Sequence, residues 1–131
     1  FDVKGIPQIW AQNAHDAYFA MGYQQAADRL FQMDMTRKVA EGRLAGLLGK
    51  AVLKIDLQQR TIGHNRIARK YLKKLSPKNR SRLQAYTDGV NSYIATAKTL
   101  PFEFLLLRKQ PEPWSVYDCL AILSFQTWFS N

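Results

Sequence analysis

The sequence predicts a mainly α-helical chain that begins with a short strand. Apolar residues recur every three or four positions over most of the chain, which indicates amphipathic helices. Several of these stretches begin with a capping residue and end at glycine or near proline. The first ten residues differ, because β-branched and aromatic side chains there surround Gly5 and Pro7, which fits a strand or a broken edge strand.

The first helix has a clear start and a clear end. Asn13 is a candidate N-cap, with Asp16 three residues later, as in a capping box. One helical stripe then follows at spacings of four and three, made of Phe19, Tyr23, Ala26, Leu30 and Met33. We expect the helix to end near Glu41, because Gly42 interrupts the pattern.

The middle of the chain predicts a short helix followed by two longer ones. Residues 43–48 form the short helix, with Gly49 at its C′ position. Residues 51–55 fit either a strand or a helical turn. A basic helix follows and ends near Leu75, after which Ser76-Pro77 predicts a new helix, since serine caps and proline suits the first helical position.

The last predicted helix is apolar on nearly every side. It follows a short apolar segment at residues 102–107 and a rigid turn at 111–114, and Ser115 with Asp118 forms its capping box. Its apolar residues are Leu120, Ala121, Ile122, Leu123, Phe125, Trp128 and Phe129. A helix of this kind has to be buried all round. It is therefore either the central helix of a small bundle or a helix whose partner surface lies outside this chain.

Length and composition indicate one globular domain covering residues 1–131. Hydrophobic residues make up 47% of the chain and charged residues 22%. No apolar run approaches the roughly 18 residues of a membrane span, so no membrane insertion is expected. Cys119 is the only cysteine, which excludes a disulfide within the chain and a cysteine-based metal site.

The formal net charge is +9, and much of the excess lies in residues 66–82, which hold eight basic residues and no acidic one. This segment is either a phosphate-binding stripe or the solvated face of a helix whose inner side carries Ile67, Leu72 and Leu75. It contains no recognition-helix motif, zinc knuckle or interleaved aromatic run. We therefore expect no nucleic acid partner, and a basic helical nucleic-acid-binding module remains the alternative function.

No catalytic set or metal-ligand set is visible in the chain. His15 and His64 have no carboxylate at a ligand spacing, and we expect both at the surface or in loops. Cys119 lies in the first turn of an apolar helix without an obvious base, so we expect a buried, inert thiol. Asp34 and Lys38 predict an ordinary (i, i+4) pair worth a few tenths of a kcal/mol.

Two segments carry a resemblance to a known family. The run GYQQAADRLFQMD at residues 22–34 and the run AYTDGVN at residues 85–91 resemble the small α subunit of the penicillin acylases. That family includes penicillin G, cephalosporin and acyl-homoserine-lactone acylases. The resemblance continues in order through residues 5–9, 41–45 and 111–115, so that it covers nearly the whole chain.

The resemblance implies part of an αββα N-terminal-nucleophile hydrolase fold that a separate β chain completes. Both chains would come from one secreted, self-cleaved precursor, and residues 1–131 would be the α subunit or its N-terminal part. The first residue of the β chain, usually Ser, would attack a small acyl-amide substrate, with its own α-amino group as base. A periplasmic or secreted location is expected, and a catalytically inactive family member is a further alternative.

The resemblance also implies site residues by position. Phe125 and Phe129 match apolar positions of the acyl pocket, and their spacing of four places them on one helical face. Trp128 stands where the penicillin G enzyme has an Arg that helps to bind substrate, so a different acyl preference is expected. Asp28 and Arg29 are expected to be structural and packed into the αβ assembly.

The resemblance places the remaining site chemistry outside this chain. All catalytic residues are expected on the β chain, and no cofactor is expected for catalysis. A structural calcium ion is expected to take its ligands mostly from the β chain. The one ligand that the α chain supplies in the family would follow Asn131, so no metal ligand is expected within residues 1–131.

Overall fold

The computed structural model describes residues 1–131, and all of its regular secondary structure is helical. The helices are α1 (Ala14–Glu41), α2 (Ala45–Leu48), α3 (Leu53–Ile62), α4 (His64–Lys74), α5 (Pro77–Thr96), α6 (Phe102–Leu106) and α7 (Val116–Phe129), with a 3-10 turn (Lys50–Val52) before α3. Residues 51–55, which fitted a strand or a helical turn, are therefore helical. None of the helices combines the length and the apolarity needed to cross a bilayer.

The predicted N-terminal strand is wrong. One carboxylate oxygen of Asp2 accepts the backbone N–H groups of Lys4 (2.9 Å) and Ile6 (2.8 Å), and Gly5 has a φ of 75°. These bonds close a turn where the sequence suggested extended pairing. No other residues of the chain form a strand with which residues 1–10 could pair, so no inter-strand hydrogen bonds stabilise an extended conformation there.

The three predicted caps are present. The side chain of Asn13 accepts the N–H of Asp16 (2.8 Å), and that of Ser76 accepts the N–H of Asn79 (3.2 Å). Ser115 and Asp118 form a reciprocal capping box at the start of α7. Each side-chain oxygen satisfies a backbone donor that the first helical turn leaves free.

Helix α1 is kinked at Arg29, whose φ of −144° and ψ of 27° are not helical. The part of α1 before this kink packs very closely against α5. A Cβ atom on Gly22 would overlap the carbonyl oxygen of Tyr86, and one on Gly89 would overlap that of Phe19. Only glycine fits at these two positions, because the obstacle on each side is backbone.

Two apolar clusters form the interior. The first lies between α1 and α5 and contains Ala26, Leu30, Met33, Val90, Phe104 and Trp114. The second joins α1, α4 and the first half of α7, and contains Ala40, Ala68, Val116, Leu120 and Ala121. The predicted inner face of the first helix is confirmed in its central part, where Ala26 and Leu30 are fully buried.

A buried ion cluster connects α1 to the start of α7. Arg37 is 2% exposed and donates to Asp34 Oδ1 (2.5 Å) and to Asp118 Oδ2 (3.4 Å). It also donates to the carbonyl oxygen of Pro113 (2.8 Å), and its guanidinium lies 4.6 Å from the ring centroid of Trp114. Arg37 thus holds the turn before α7 and the first turn of α7 against α1.

The pair Asp34–Lys38 belongs to this cluster and is not an ordinary surface contact. Lys38 Nζ lies 2.7 Å from Asp34 Oδ2, as the (i, i+4) spacing predicted, but both side chains are buried. The expected value of a few tenths of a kcal/mol applies to exposed pairs. Removing one partner here leaves the other charge in a site that water does not reach.

Side chains of α3 hold the loop that follows α1. Asp56 of α3 is buried and accepts the backbone N–H groups of Leu44 (2.8 Å) and Ala45 (2.7 Å). Arg60 donates to the carbonyl oxygen of Gly42 (2.7 Å). Helix α3 therefore supplies the cap that the start of α2 lacks in its own sequence.

We expect Gly89→Ala to destabilise the chain by about 1–3 kcal/mol, because the new methyl group meets the backbone of α1. Gly46→Ala is the matched control, since nothing lies within 4 Å of its Cβ position in α2. That change should be neutral or stabilise by up to about 1 kcal/mol. Urea denaturation followed by circular dichroism measures both, and equal effects would contradict the close crossing of α1 and α5.

We expect Arg37→Met to destabilise the chain by about 3–5 kcal/mol, because it leaves buried carboxylates without their cation. Arg66→Met removes an exposed arginine that forms no salt bridge and should change stability by about 0.5 kcal/mol or less. The same denaturation experiment compares them. Similar losses in the two variants would show that Arg37 is not a structural anchor.

Candidate functional site

An aromatic cluster lies where the second half of α7 runs beside the start of α4. It consists of His64, Phe125, Trp128 and Phe129. The ring centroids of Phe125 and Phe129 are 5.9 Å apart, and those of Phe125 and Trp128 are 6.4 Å apart. His64 stands edge-on to Phe125 at 5.8 Å. The structure thus brings together all three residues to which the resemblance assigns substrate contact.

His64 was expected at the surface or in a loop, and that expectation is wrong. It is 1% exposed, and its two ring nitrogens lie 2.9 Å from Ser124 Oγ and 3.1 Å from Gln59 Oε1. Because Gln59 Oε1 only accepts, Nε2 carries the proton and Nδ1 accepts from Ser124. Burial lowers the pKa of His64, which keeps the ring neutral at neutral pH.

A sequence signal for the burial of His64 does exist. His64 precedes Ile67 and Ala68 by three and four residues, so it lies on the inner face of the same helix. Gly63, directly before it, takes a left-handed conformation and ends α3. The next helix begins at once, with His64 as its first residue.

Burial changes along α7. Val116, Leu120 and Ala121 in its first half are buried, whereas Leu123 is 58%, Trp128 41% and Phe129 76% exposed. The helix is therefore not the centre of a bundle, and that alternative is wrong for this chain. Its second half presents large apolar side chains that no residue of the chain covers.

Two cavities flank this uncovered half. One of about 380 Å³ lies between α4 and α7, and His64, Leu123 and Trp128 are among its walls. The other, of about 580 Å³, lies between α1, α5 and α7 and is lined mainly by apolar residues. Leu123 contributes to both cavities, which places the second half of α7 as the wall between them.

Two ionisable groups of the larger cavity remain in their neutral forms. Burial, with a contribution from the nearby Cys119, raises the pKa of Tyr86 to about 12, and its hydroxyl donates to Gln25 Oε1 (2.8 Å). Burial also raises the pKa of Cys119, whose Sγ accepts from Trp114 Nε1 at 3.3 Å. The thiol is protonated and has no base beside it, which agrees with the expected inert cysteine.

The remaining candidates do not assemble into a catalytic or metal site. His15 is exposed and contacts only the neighbouring Asp16. No three His, Cys, Asp or Glu side chains come together in a way that could hold a metal ion. Asp28 and Arg29 are exposed in this chain and bond only within α1, to Gln24 and Gln32. Their expected burial in an αβ assembly stays a prediction.

The comparisons with known proteins agree on one family. The family model described as penicillin amidase matches residues 1–131. The chain is 40% identical over 122 residues to penicillin acylase 2 proenzyme of Pseudomonas sp. (strain SE83), which covers 93% of this chain and 16% of that protein. It is 36% identical over 125 residues to the acyl-homoserine lactone acylase QuiP of Pseudomonas aeruginosa, which covers 92% of this chain and 15% of that protein.

A solved structure gives the same result. The thermostable penicillin G acylase from Alcaligenes faecalis superimposes with a TM-score of 0.86 and 33% identity, over 98% of this chain and 71% of that one. The chain spans about 15% of the length of the curated relatives it matches. The family model nevertheless covers the whole of this chain, from the N-terminal turn to the aromatic cluster. The chain belongs to the penicillin amidase family.

Proposed function

We propose that this chain is the α subunit, or its N-terminal part, of an N-terminal-nucleophile amidohydrolase that removes a lipophilic acyl group from an amide. The observation that carries the proposal is the uncovered aromatic end of α7 in a chain that spans about 15% of its relatives' length. An exposed apolar surface of this kind marks an interaction site. A β chain from the same precursor is the partner that fits.

In the proposed reaction the β chain supplies the chemistry. Its N-terminal residue attacks the amide carbonyl while its α-amino group takes the proton; that proton then passes to the amide nitrogen as the C–N bond breaks, and the amine product leaves. Water then attacks the acyl-enzyme and releases the carboxylic acid. No step is assigned to a residue of this chain, whose own role is to hold the acyl group and to exclude water from it.

Three aromatic rings on one side of α7 suit that role. Phe125 packs against the second apolar cluster and edge-on to His64 of α4, while Trp128 and Phe129 are more exposed. The rings offer dispersion contact and no charge, so they favour a lipophilic acyl group. The indole of Trp128 presents no guanidinium to the substrate, and we therefore assign no specific preference for penicillin G. Acyl-homoserine lactones and related amides are equally compatible.

The rest of the proposal follows the family. We assign any structural calcium ion to ligands outside residues 1–131, mostly on the β chain, and no cofactor to catalysis. We assign the mature protein to the periplasm or the exterior. Residues 1–131 serve as one structural domain of the assembly. A catalytically inactive member of the family would keep the same α chain, and the first residue of the β chain distinguishes the two.

We expect the purified native protein to contain a second, larger chain that begins with Ser, Thr or Cys. Intact mass measurement together with N-terminal sequencing of every chain tests this directly. A second chain with any other first residue would indicate an inactive member. A monomeric, stably folded preparation of this chain alone would contradict the proposed assembly.

We expect Phe129→Ala to lower kcat/KM for amides of long or aromatic acyl groups by about tenfold or more, because a ring of the acyl pocket is lost. Phe102→Ala is the matched control, since Phe102 on α6 is 69% exposed and lies outside the aromatic cluster. Activity is compared over amides of increasing acyl length. An unchanged acyl profile in Phe129→Ala would contradict the pocket role of α7.

A further inference from the structure

A row of basic side chains runs along the outer face of α4. It consists of Arg66, Arg69, Lys70 and Lys73, which we call the basic stripe. Their spacing of three, four and seven residues places them on one side of the helix, and all four are exposed. Together with Asn65 they line a shallow depression of about 400 Å³ that contains no apolar side chain.

No carboxylate of this chain neutralises the basic stripe. None of its four residues takes part in a salt bridge. The sequence contains no Asp or Glu between Asp56 and Asp88, so that α4 and the first half of α5 carry only basic charges. Such a concentration of one sign creates a positive field that attracts an anionic partner.

The fold argues against nucleic acid as that partner. The N-terminal end of α4 is buried, because His64 packs under α7, so the helix cannot enter a groove by its first turn as recognition helices do. The depression also contains no aromatic ring on which a base of a single strand could stack.

The fold argues equally against insertion into a bilayer. Ala68 on the inner side of α4 is fully buried in the cluster with α7, and Tyr71 is the one large apolar side chain of α4 that is mostly exposed, so this helix has no continuous apolar face to insert. What remains is one outward row of cations, which extends for about 10 Å along the helix from Arg66 to Lys73. This arrangement matches a flat array of anionic headgroups, which polybasic segments bind by charge alone.

We propose that the basic stripe docks the protein on a phospholipid surface that carries anionic headgroups. The inference does not depend on the acylase activity, since it concerns a face of α4 that is separate from the aromatic cluster. Binding is electrostatic and reversible, and salt weakens it.

The test uses the complete protein that contains this chain and sedimentation with vesicles. Vesicles of phosphatidylcholine with about one third phosphatidylglycerol are compared with vesicles of phosphatidylcholine alone, at low and high salt. The stripe variant carries Arg66→Gln, Arg69→Gln, Lys70→Gln and Lys73→Gln. The control variant loses the same charge at exposed positions elsewhere, through Lys4→Gln, Lys50→Gln, Lys54→Gln and Lys98→Gln.

We expect the wild type to bind the anionic vesicles only, with partitioning that falls as salt rises. The stripe variant should lose on the order of several hundred-fold in the partition coefficient, and the control variant should lose far less. Absence of binding by the folded wild type would overturn the proposal, as would equal losses in both variants. Tighter binding to duplex DNA than to the anionic vesicles at the same salt would also overturn it, in favour of nucleic acid.

Discussion

The contact on which most of this structure depends is the burial of Arg37 between α1 and the start of α7. Its guanidinium binds Asp34, the carbonyl oxygen of Pro113 and the capping carboxylate of Asp118. Replacing a buried ion pair by well-packed apolar groups is often neutral, whereas removing one partner is costly. The cluster therefore contributes mainly by fixing one arrangement, in which α7 leaves the turn in a set direction and carries its aromatic end beside His64.

The local features of the fold could be predicted because their causes lie within a few residues of sequence. Asn13, Ser76 and Ser115 each bond a backbone group three residues ahead, so that a cap is visible without knowledge of the tertiary fold. The stripe at Ala26 and Leu30 likewise reflects the helical period alone. Glycine at position 42 ended the first helix where expected, since it takes the left-handed conformation with little strain.

The errors arose where the partner is distant in sequence. The predicted strand at residues 1–10 needs a second strand, and a local turn around Asp2 forms in its place. Nothing near His64 indicates that Ser124, sixty residues later, will bind its ring. The spacing of Asp34 and Lys38 predicts their (i, i+4) pair correctly. It does not show that the pair is buried, because the turn at Glu112 and Pro113 that binds the neighbouring Arg37 lies far away in the sequence.

In α7, one feature of the candidate site could be predicted from the sequence and another could not. The spacing of four between Phe125 and Phe129 is enough to bring their rings together, and the structure does so. What the two rings face does not follow from the spacing, because Phe129 is 76% exposed and no residue of this chain covers it. Burying a large apolar side chain contributes about 1.5–3 kcal/mol, and Leu123 and Phe129 remain mostly exposed. Since Val116, Leu120 and Ala121 in the first half of the same helix are buried, the exposure is confined to the second half, as the proposed second chain requires. In the proposed assembly, a second chain that completed the burial of α7 would therefore stabilise this chain and enclose an acyl pocket with the same side chains.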